Sequence, residues 1–240
     1  MELWLPDWYK EQRRVQHKSA RESAIYEKLK KGPEFGGIEA IIERKSLVEE
    51  VRSLITPTES KRPYPLIAGE HGTGKTSLIQ LAINSMDKDK PKGVVYVDLP
   101  LLCGSEIDIA TAIQKALGWS PDPVIDSDKC KCRPSLPVCI FEANRFAAIP
   151  VRDLLDIFSS VALKYRQDHG KVPVLIIDNA NKLAQNQQKF LDVFQDYAKD
   201  ATDKGTATVV FVSNEGHVPR RMIGKSFMPM VLFINYYLLN

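Results

Sequence analysis

Short apolar runs alternate along the chain with longer segments in which apolar residues recur every three or four positions. The apolar runs are residues 65–68, 94–98, 174–178 and 208–212. The periodic segments are residues 38–55, 76–85, 106–117, 151–169 and 181–199. A strand that is apolar throughout must be buried on both of its faces. The pattern therefore predicts an α/β fold with three layers, in which helices cover both faces of a parallel sheet.

A polar and basic segment precedes this core. Residues 19–31 favour a helix, and residues 10–31 hold eight lysines and arginines but only three glutamates. Gly32-Pro33 and Gly36-Gly37 then break the helical pattern. We therefore predict a basic helical arm and linker over residues 1–37, followed by one domain over residues 38–240. A solvated helix face and an acidic partner both explain the lysines of this arm.

Two parts of the domain depart from the regular alternation. Residues 118–150 are rich in proline and contain three of the four cysteines, so they are predicted to form a loop or insertion. Residues 222–240 either contribute the last strand of the sheet, through residues 231–234, or form the altered tail of a shortened gene product.

Composition and charge exclude several classes of protein. The charged fraction is 26% and the hydrophobic fraction is 44%, which is typical of a soluble globular protein. The net charge of +3 gives no strong argument for nucleic acid. No apolar run reaches the roughly 18 residues that would cross a bilayer, so no membrane association is expected. Without a secretory signal, four cysteines indicate an intracellular protein of the cytoplasm or nucleus with free thiols.

Three of the cysteines lie close together in the sequence, as metal ligands often do. Cys130, Cys132 and Cys139 give the spacing C-x-C-x₆-C, and a fourth ligand would have to come from elsewhere in the chain, such as Cys103 or a histidine. Structural zinc sites usually show two paired motifs. Free loop thiols are therefore favoured over a zinc site.

A glycine-rich segment lies between the first predicted strand and the next predicted helix, and it matches G-x-x-x-x-G-K-[ST] at every position. Its predicted nucleotide-binding residues are Gly69, Glu70, His71, Gly72, Thr73, Gly74, Lys75, Thr76 and Ser77. Glycines let the backbone turn so that its N–H groups form a cradle for phosphate oxygens, and the helix adds the positive end of its dipole. Lys75 is predicted to reach the β- and γ-phosphates, and the Thr76 hydroxyl is predicted to bind Mg²⁺. The predicted ligands are therefore ATP and Mg²⁺.

Residues 38–221 resemble the AAA+/STAND class of P-loop ATPases, and within it the archaeal-ATPase-like branch. The glycine loop, the strand ending at Asp178 and the strand ending near Asn214 carry the resemblance. Ile41 and Ile42 resemble the apolar pair that contacts adenine in such proteins. The tryptophan-rich start, the Asp-Asn ending of the third strand and the Val-Pro-Arg-Arg run also resemble ATPase-domain proteins of arbuscular mycorrhizal fungi, some of them linked to crinkler-type effectors.

The resemblance implies roles for polar residues that follow two of the strands. Asp178 would hold Mg²⁺ as the Walker B aspartate, directly or through water. Most hydrolysing relatives carry glutamate at the next position, whereas this chain has Asn179, which orients water but does not accept its proton. Asn214 would act as the sensor-1 residue near the γ-phosphate. Arg220 and Arg221 stand where related ATPases place arginines that stabilise the transferring phosphate, and a surface basic pair explains them equally well.

The leading hypothesis is an ATP-dependent switch that hydrolyses ATP slowly and changes its contacts with a protein partner or with a second copy. Such proteins normally continue into a helical lid, yet only 19 residues follow Arg221. We therefore expect no lid and a pocket that is open on one side. One alternative is a nucleotide-binding scaffold without catalysis, for which Asn179 argues. A second is a nucleic-acid-binding module that uses the basic arm, and small-substrate kinase chemistry is the least supported.

Overall fold

The computed structural model of the protein describes residues 7–36, 45–60, 63–87, 90–100, 103–119, 149–214, 218, 222 and 230–234. In chain order the helices are α1 (Asp7–Lys31), α2 (Lys45–Ile55), α3 (Lys75–Asn84), α4 (Glu106–Ala116), α5 (Val151–His169), α6 (Asn181–Asn186) and α7 (Gln188–Lys204). The strands are β1 (Pro65–Gly69), β2 (Val94–Asp98), β3 (Val174–Asp178), β4 (Thr208–Asn214) and β5 (Met230–Ile234).

The five strands form one sheet in the order β2-β3-β4-β1-β5, and every neighbouring pair is parallel. Each of the inner strands β1 and β3 is buried along its whole length. This arrangement confirms the predicted parallel sheet. Because all strands point the same way, their carboxyl ends meet at one edge, where ligands of open α/β sheets bind.

Alternate residues of each strand enter two separate hydrophobic clusters, one on each face of the sheet. In β3, for example, Leu175 and Ile177 belong to the first cluster, whereas Val174 and Ile176 belong to the second. Residues of α1, α4, α5, α6 and α7 cover the first face, and residues of α2 and α3 cover the second. The predicted three-layer α/β/α fold is therefore confirmed.

The described end of the predicted basic arm packs against the core. Ile25 and Leu29 of α1 are fully buried in the first cluster. The Gly93 N–H donates to the Leu29 carbonyl at 3.1 Å, just before β2 begins. Gly32 has φ 71° and ends the helix by donating from its N–H to the Lys28 carbonyl. Residues 25–29 thus belong to the folded core, although the sequence placed the start of that core near Ile38.

One predicted helix requires correction, and several predicted segments are only partly described. Residues 181–199 were predicted as a single helix, but the helix is interrupted at Gln187, whose φ of −143° and ψ of 56° are not helical. A second helix then continues to Lys204, beyond the predicted end.

Residues 37–44 and 120–148 lie outside the described residues, together with Cys130, Cys132 and Cys139. None of the described helices is long and apolar enough to cross a membrane.

Candidate nucleotide-binding site

A cavity of about 360 Å³ opens at the carboxyl edge of the sheet, between the glycine loop and the ends of β3 and β4. From the glycine-rich segment it is lined by His71, Gly72, Gly74, Lys75, Thr76 and Ser77. From the strands it is lined by three more predicted residues, Asp178, Asn179 and Asn214. The topology therefore gathers residues that are up to 143 positions apart, because β1, β3 and β4 are neighbours in the sheet.

Glycine is required in the loop for two different physical reasons. Gly72 and Gly74 have φ values of 84° and 79°, in the left-handed region where a side chain is strained. Gly69 instead lies close to β5. A Cβ at this position would overlap the Ile234 carbonyl oxygen, so a side chain is excluded. At Gly74 a Cβ would meet no protein atom within 4 Å, so this side of the loop faces open space. The loop is thus shaped as a turn with an open inner side.

The Lys75 side chain is folded over the glycine loop. Its ammonium donates to the carbonyls of Gly69 at 2.8 Å and Glu70 at 2.7 Å, and to the Thr73 hydroxyl at 3.3 Å. The side chain is only 7% exposed although it lines the cavity. A buried cation is stable only if its donors are satisfied, and these oxygens satisfy them. The loop therefore holds one positive charge beside the cavity.

Thr76 and Asp178 meet at the wall of the cavity although 102 residues separate them. The Thr76 hydroxyl donates to Oδ2 of Asp178 at 2.8 Å. Oδ1 of the same carboxylate accepts the backbone N–H of Asn179 at 2.7 Å. A hydroxyl beside a carboxylate is a donor set that suits a hard cation such as Mg²⁺. The residues present thus fit the metal that the P-loop implies, and Thr76 and Asp178 would hold it.

Tyr96 of β2 is a neighbour of Asp178 that the sequence did not point to. Its hydroxyl donates to Oδ2 of Asp178 at 2.6 Å, and its ring packs edge-on against Phe35 at 5.1 Å. Burial and the adjacent Asp178 carboxylate raise the pKa of Tyr96 far above its ordinary value of 10.0, so the hydroxyl stays protonated and acts as a donor. Its position as the third residue of an apolar strand gave no signal of this contact.

Asp98 is a second residue near the cavity that the sequence analysis did not predict. Parallel pairing of β2 with β3 sets Asp98 opposite Asp178, so both strands end in a carboxylate. Oδ1 of Asp98 accepts the side-chain amide of Asn179 at 2.8 Å. Asn179 has φ 61°, in the left-handed region that asparagine tolerates better than most residues. The signal available in the sequence was that a second apolar strand, like 174–178, ends in aspartate.

Two further residues that line the cavity, Asn181 and Lys182, come from the start of α6. Neither was predicted, because the sequence motif ends at the strand. At the end of β4, Asn214 pairs in register with Gly69 and so lies beside the glycine loop. Four predicted site residues, Ile41, Ile42, Arg220 and Arg221, lie outside the described residues.

The sequence model of the AAA domain family matches residues 58–220, which is more than half of the chain. The chain belongs to this family. The match spans the glycine loop and the strands that end at Asp178 and Asn214, so this AAA domain is a P-loop NTPase of the AAA+ kind. No curated protein matches the chain significantly.

Two solved structures from archaea are similar to this AAA domain. The Walker-type ATPase of Pyrococcus abyssi has a TM-score of 0.52 and is 15% identical, over 86% of this chain and 57% of that protein. Cdc6p from Pyrobaculum aerophilum has a TM-score of 0.47 and is 14% identical, over 89% of this chain and 48% of that protein. This AAA domain thus spans about half the length of both. At such identities the first likeness supports the fold alone.

Proposed function

We propose that this AAA domain binds ATP with Mg²⁺ and works as a nucleotide-dependent switch that hydrolyses ATP slowly. One observation carries the proposal. Lys75 and Thr76 of the glycine loop and Asp178 of β3, which come from two separate motifs, line a single cavity beside two left-handed glycines. Backbone amides, an ammonium group, a hydroxyl and a carboxylate are the groups that a triphosphate and its metal require.

The present contacts of these residues suggest how the chain takes up a triphosphate. The Lys75 ammonium would exchange the carbonyls of Gly69 and Glu70 for phosphate oxygens, which are stronger, charge-assisted acceptors. Thr76 and Asp178, already hydrogen-bonded, would separate far enough to hold Mg²⁺. The metal supplies positive charge to the β- and γ-phosphate oxygens when bound.

The same contacts connect the cavity to the rest of the sheet, which supports a switch. Gly69 pairs with Asn214 of β4 on one side and with Ile234 of β5 on the other. The Lys75 ammonium is bonded to the Gly69 carbonyl at the end of the same strand. If the Lys75 ammonium exchanges the Gly69 carbonyl for a phosphate, the end of β1 loses this hydrogen bond. The end of β1 pairs with both β4 and β5, so the change reaches both neighbouring strands. We expect contacts with a protein partner or a second copy to respond to it.

Calorimetry with ATP and Mg²⁺ tests the binding step. Lys75→Ala removes the buried cation, so ATP affinity is expected to fall about 10-fold or more, since a charge-assisted hydrogen bond contributes about 1.5–3 kcal/mol. Lys199→Ala is the matched control, because it removes an exposed lysine of α7 that does not line the cavity. If Lys75→Ala binds ATP as tightly as the unaltered protein, the proposal is wrong.

Catalysis and switching need separate measurements. Steady phosphate release that disappears in Lys75→Ala would exclude the alternative of a scaffold without catalysis. Competition between ATP and GTP would show which base is preferred. Light scattering with and without ATP measures whether a second copy binds only in one nucleotide state. An unchanged mass, together with unchanged binding to every partner tested, would contradict the switch.

A further inference from the structure

Within the described residues, the cavity is lined by one carboxylate, that of Asp178, and both its oxygens are already engaged. Oδ2 accepts the hydroxyls of Thr76 and Tyr96, and Oδ1 accepts the Asn179 N–H. A carboxylate that holds a metal with one oxygen and a backbone amide with the other is poorly placed to take a proton from water. The attacking water therefore needs a different base.

Asn179 occupies the position where a glutamate would be expected, and its backbone conformation suits asparagine better than glutamate. Its φ of 61° lies in the left-handed region, which asparagine adopts several times more readily than most residues. A longer glutamate side chain gains no such local compensation. The conformation of the chain after β3 thus favours an amide at the position where hydrolysing relatives have a carboxylate.

The neighbouring strand brings a carboxylate to the same place. Asp98 is the last residue of β2, in register with Asp178, and its side chain is exposed. The Asn179 amide, which lines the cavity, donates to Oδ1 of Asp98 at 2.8 Å. Oδ2 of Asp98 accepts no hydrogen bond from any described residue. Asp98 therefore presents a free carboxylate oxygen one hydrogen bond away from the cavity wall.

We propose that Asp98 is the catalytic base for ATP hydrolysis and that Asn179 is its positioning residue. This inference rests on the proposed function. Oδ2 of Asp98 accepts a proton from the water as the water oxygen bonds to the γ-phosphorus. The bond from that phosphorus to the β–γ bridging oxygen breaks, its electron pair leaves with ADP, and the proton later passes to solvent. The net reaction converts ATP and water to ADP, phosphate and a proton, so no further reactant is needed.

Asp98→Asn separates the base from a structural role. The substitution retains Oδ1 as the acceptor for Asn179 and replaces only the free oxygen by an amide nitrogen. We expect single-turnover hydrolysis to fall about 100-fold or more, as for the loss of a general base. ATP affinity, measured by calorimetry under the same conditions, should stay within about threefold, and recovered nucleotide should be intact ATP. Asp98→Glu should restore part of the rate, because it restores the carboxylate.

Two further variants complete the experiment. Asn179→Gly tolerates the left-handed backbone but removes the amide, so hydrolysis should fall about 10-fold, whereas in the double variant Asn179→Gly should add little to the loss caused by Asp98→Asn. Asp196→Asn makes the same chemical change at an exposed residue of α7 and should leave hydrolysis unchanged. Asp98→Asn with the rate of the unaltered protein would overturn the assignment. ATP binding without any hydrolysis in the unaltered protein would overturn it too, whereas absence of ATP binding would overturn the proposed function itself.

Discussion

Removing the Tyr96 hydroxyl is expected to destabilise the protein in the absence of nucleotide. In Tyr96→Phe the ring stays, together with its edge-on contact with Phe35. The hydrogen bond to Oδ2 of Asp178, 2.6 Å long, is lost together with the contact between the hydroxyl and the Gln80 side chain. The substitution therefore removes the contacts of the hydroxyl alone, and the bond to the charged Asp178 is expected to be the strongest of them.

The magnitude follows from the charge and burial of the partner. A hydrogen bond to a charged group contributes about 1.5–3 kcal/mol to stability, compared with about 0.5–1.5 kcal/mol for a neutral pair. Asp178 is only 2% exposed, so water replaces the lost donor poorly. Thr76 continues to donate to the same oxygen at 2.8 Å, which keeps the loss from being larger. We expect the free energy of unfolding to fall by about 1.5–3 kcal/mol.

Urea unfolding at neutral pH without nucleotide measures the loss, and Tyr165→Phe is the matched control. The Tyr165 hydroxyl is also partly buried, but it donates to the neutral carbonyl of Pro91 at 3.2 Å. Its removal should therefore cost about 0.5–1.5 kcal/mol. Equal losses in the two variants would refute the reasoning that the Asp178 charge strengthens the bond. ATP binding should survive in Tyr96→Phe, because Thr76 and Asp178 are unchanged.

Three other predictions concern stability. Gly69→Ala forces a Cβ against the β5 carbonyl and should cost about 1–3 kcal/mol in urea unfolding, whereas Gly36→Ala, which meets nothing within 4 Å, should not destabilise the protein. Ser105→Ala removes the capping box of α4 and should cost about 1 kcal/mol, measured by thermal unfolding. Burial raises the pKa of Tyr26 and Tyr165 from 10.0 to about 12. The folded state keeps these two hydroxyls protonated at a pH where the unfolded chain already ionises them. The free energy of unfolding should therefore be constant below pH 10.0 and fall between pH 10.0 and about 12, which unfolding curves measured across this range would show.

The sequence predicted the fold and the central site because both depend on local patterns. A strand that is apolar on both faces requires cover on both faces, whatever its neighbours are. The loop from Gly69 to Thr76 is one continuous segment, and its chemistry depends on spacing within that segment. Asp178 could be assigned to the same site from sequence alone, because an apolar strand that ends in aspartate usually accompanies such a loop.

Other features depended on residues that are far apart in sequence. The break at Gln187 interrupts a segment whose apolar period continues through it, so periodicity alone predicted one helix. The steric requirement for glycine at position 69 arises from Ile234 of β5, which is 165 residues away and pairs with Gly69. The break has no signature in its own neighbourhood, and the loop motif requires a glycine at position 69 without showing that β5 excludes a side chain there.

What the sequence determined by itself was the type of each element and the presence of a phosphate-binding loop, because hydrophobic burial and backbone conformation act over a few neighbouring residues. Only the tertiary structure decided which carboxylate lies free beside the cavity. The order of strands placed Asp98 in register with Asp178, and the left-handed turn at Asn179 joined Asp98 to the cavity wall. Such contacts depend on strand neighbours and side-chain direction, which no local pattern specifies.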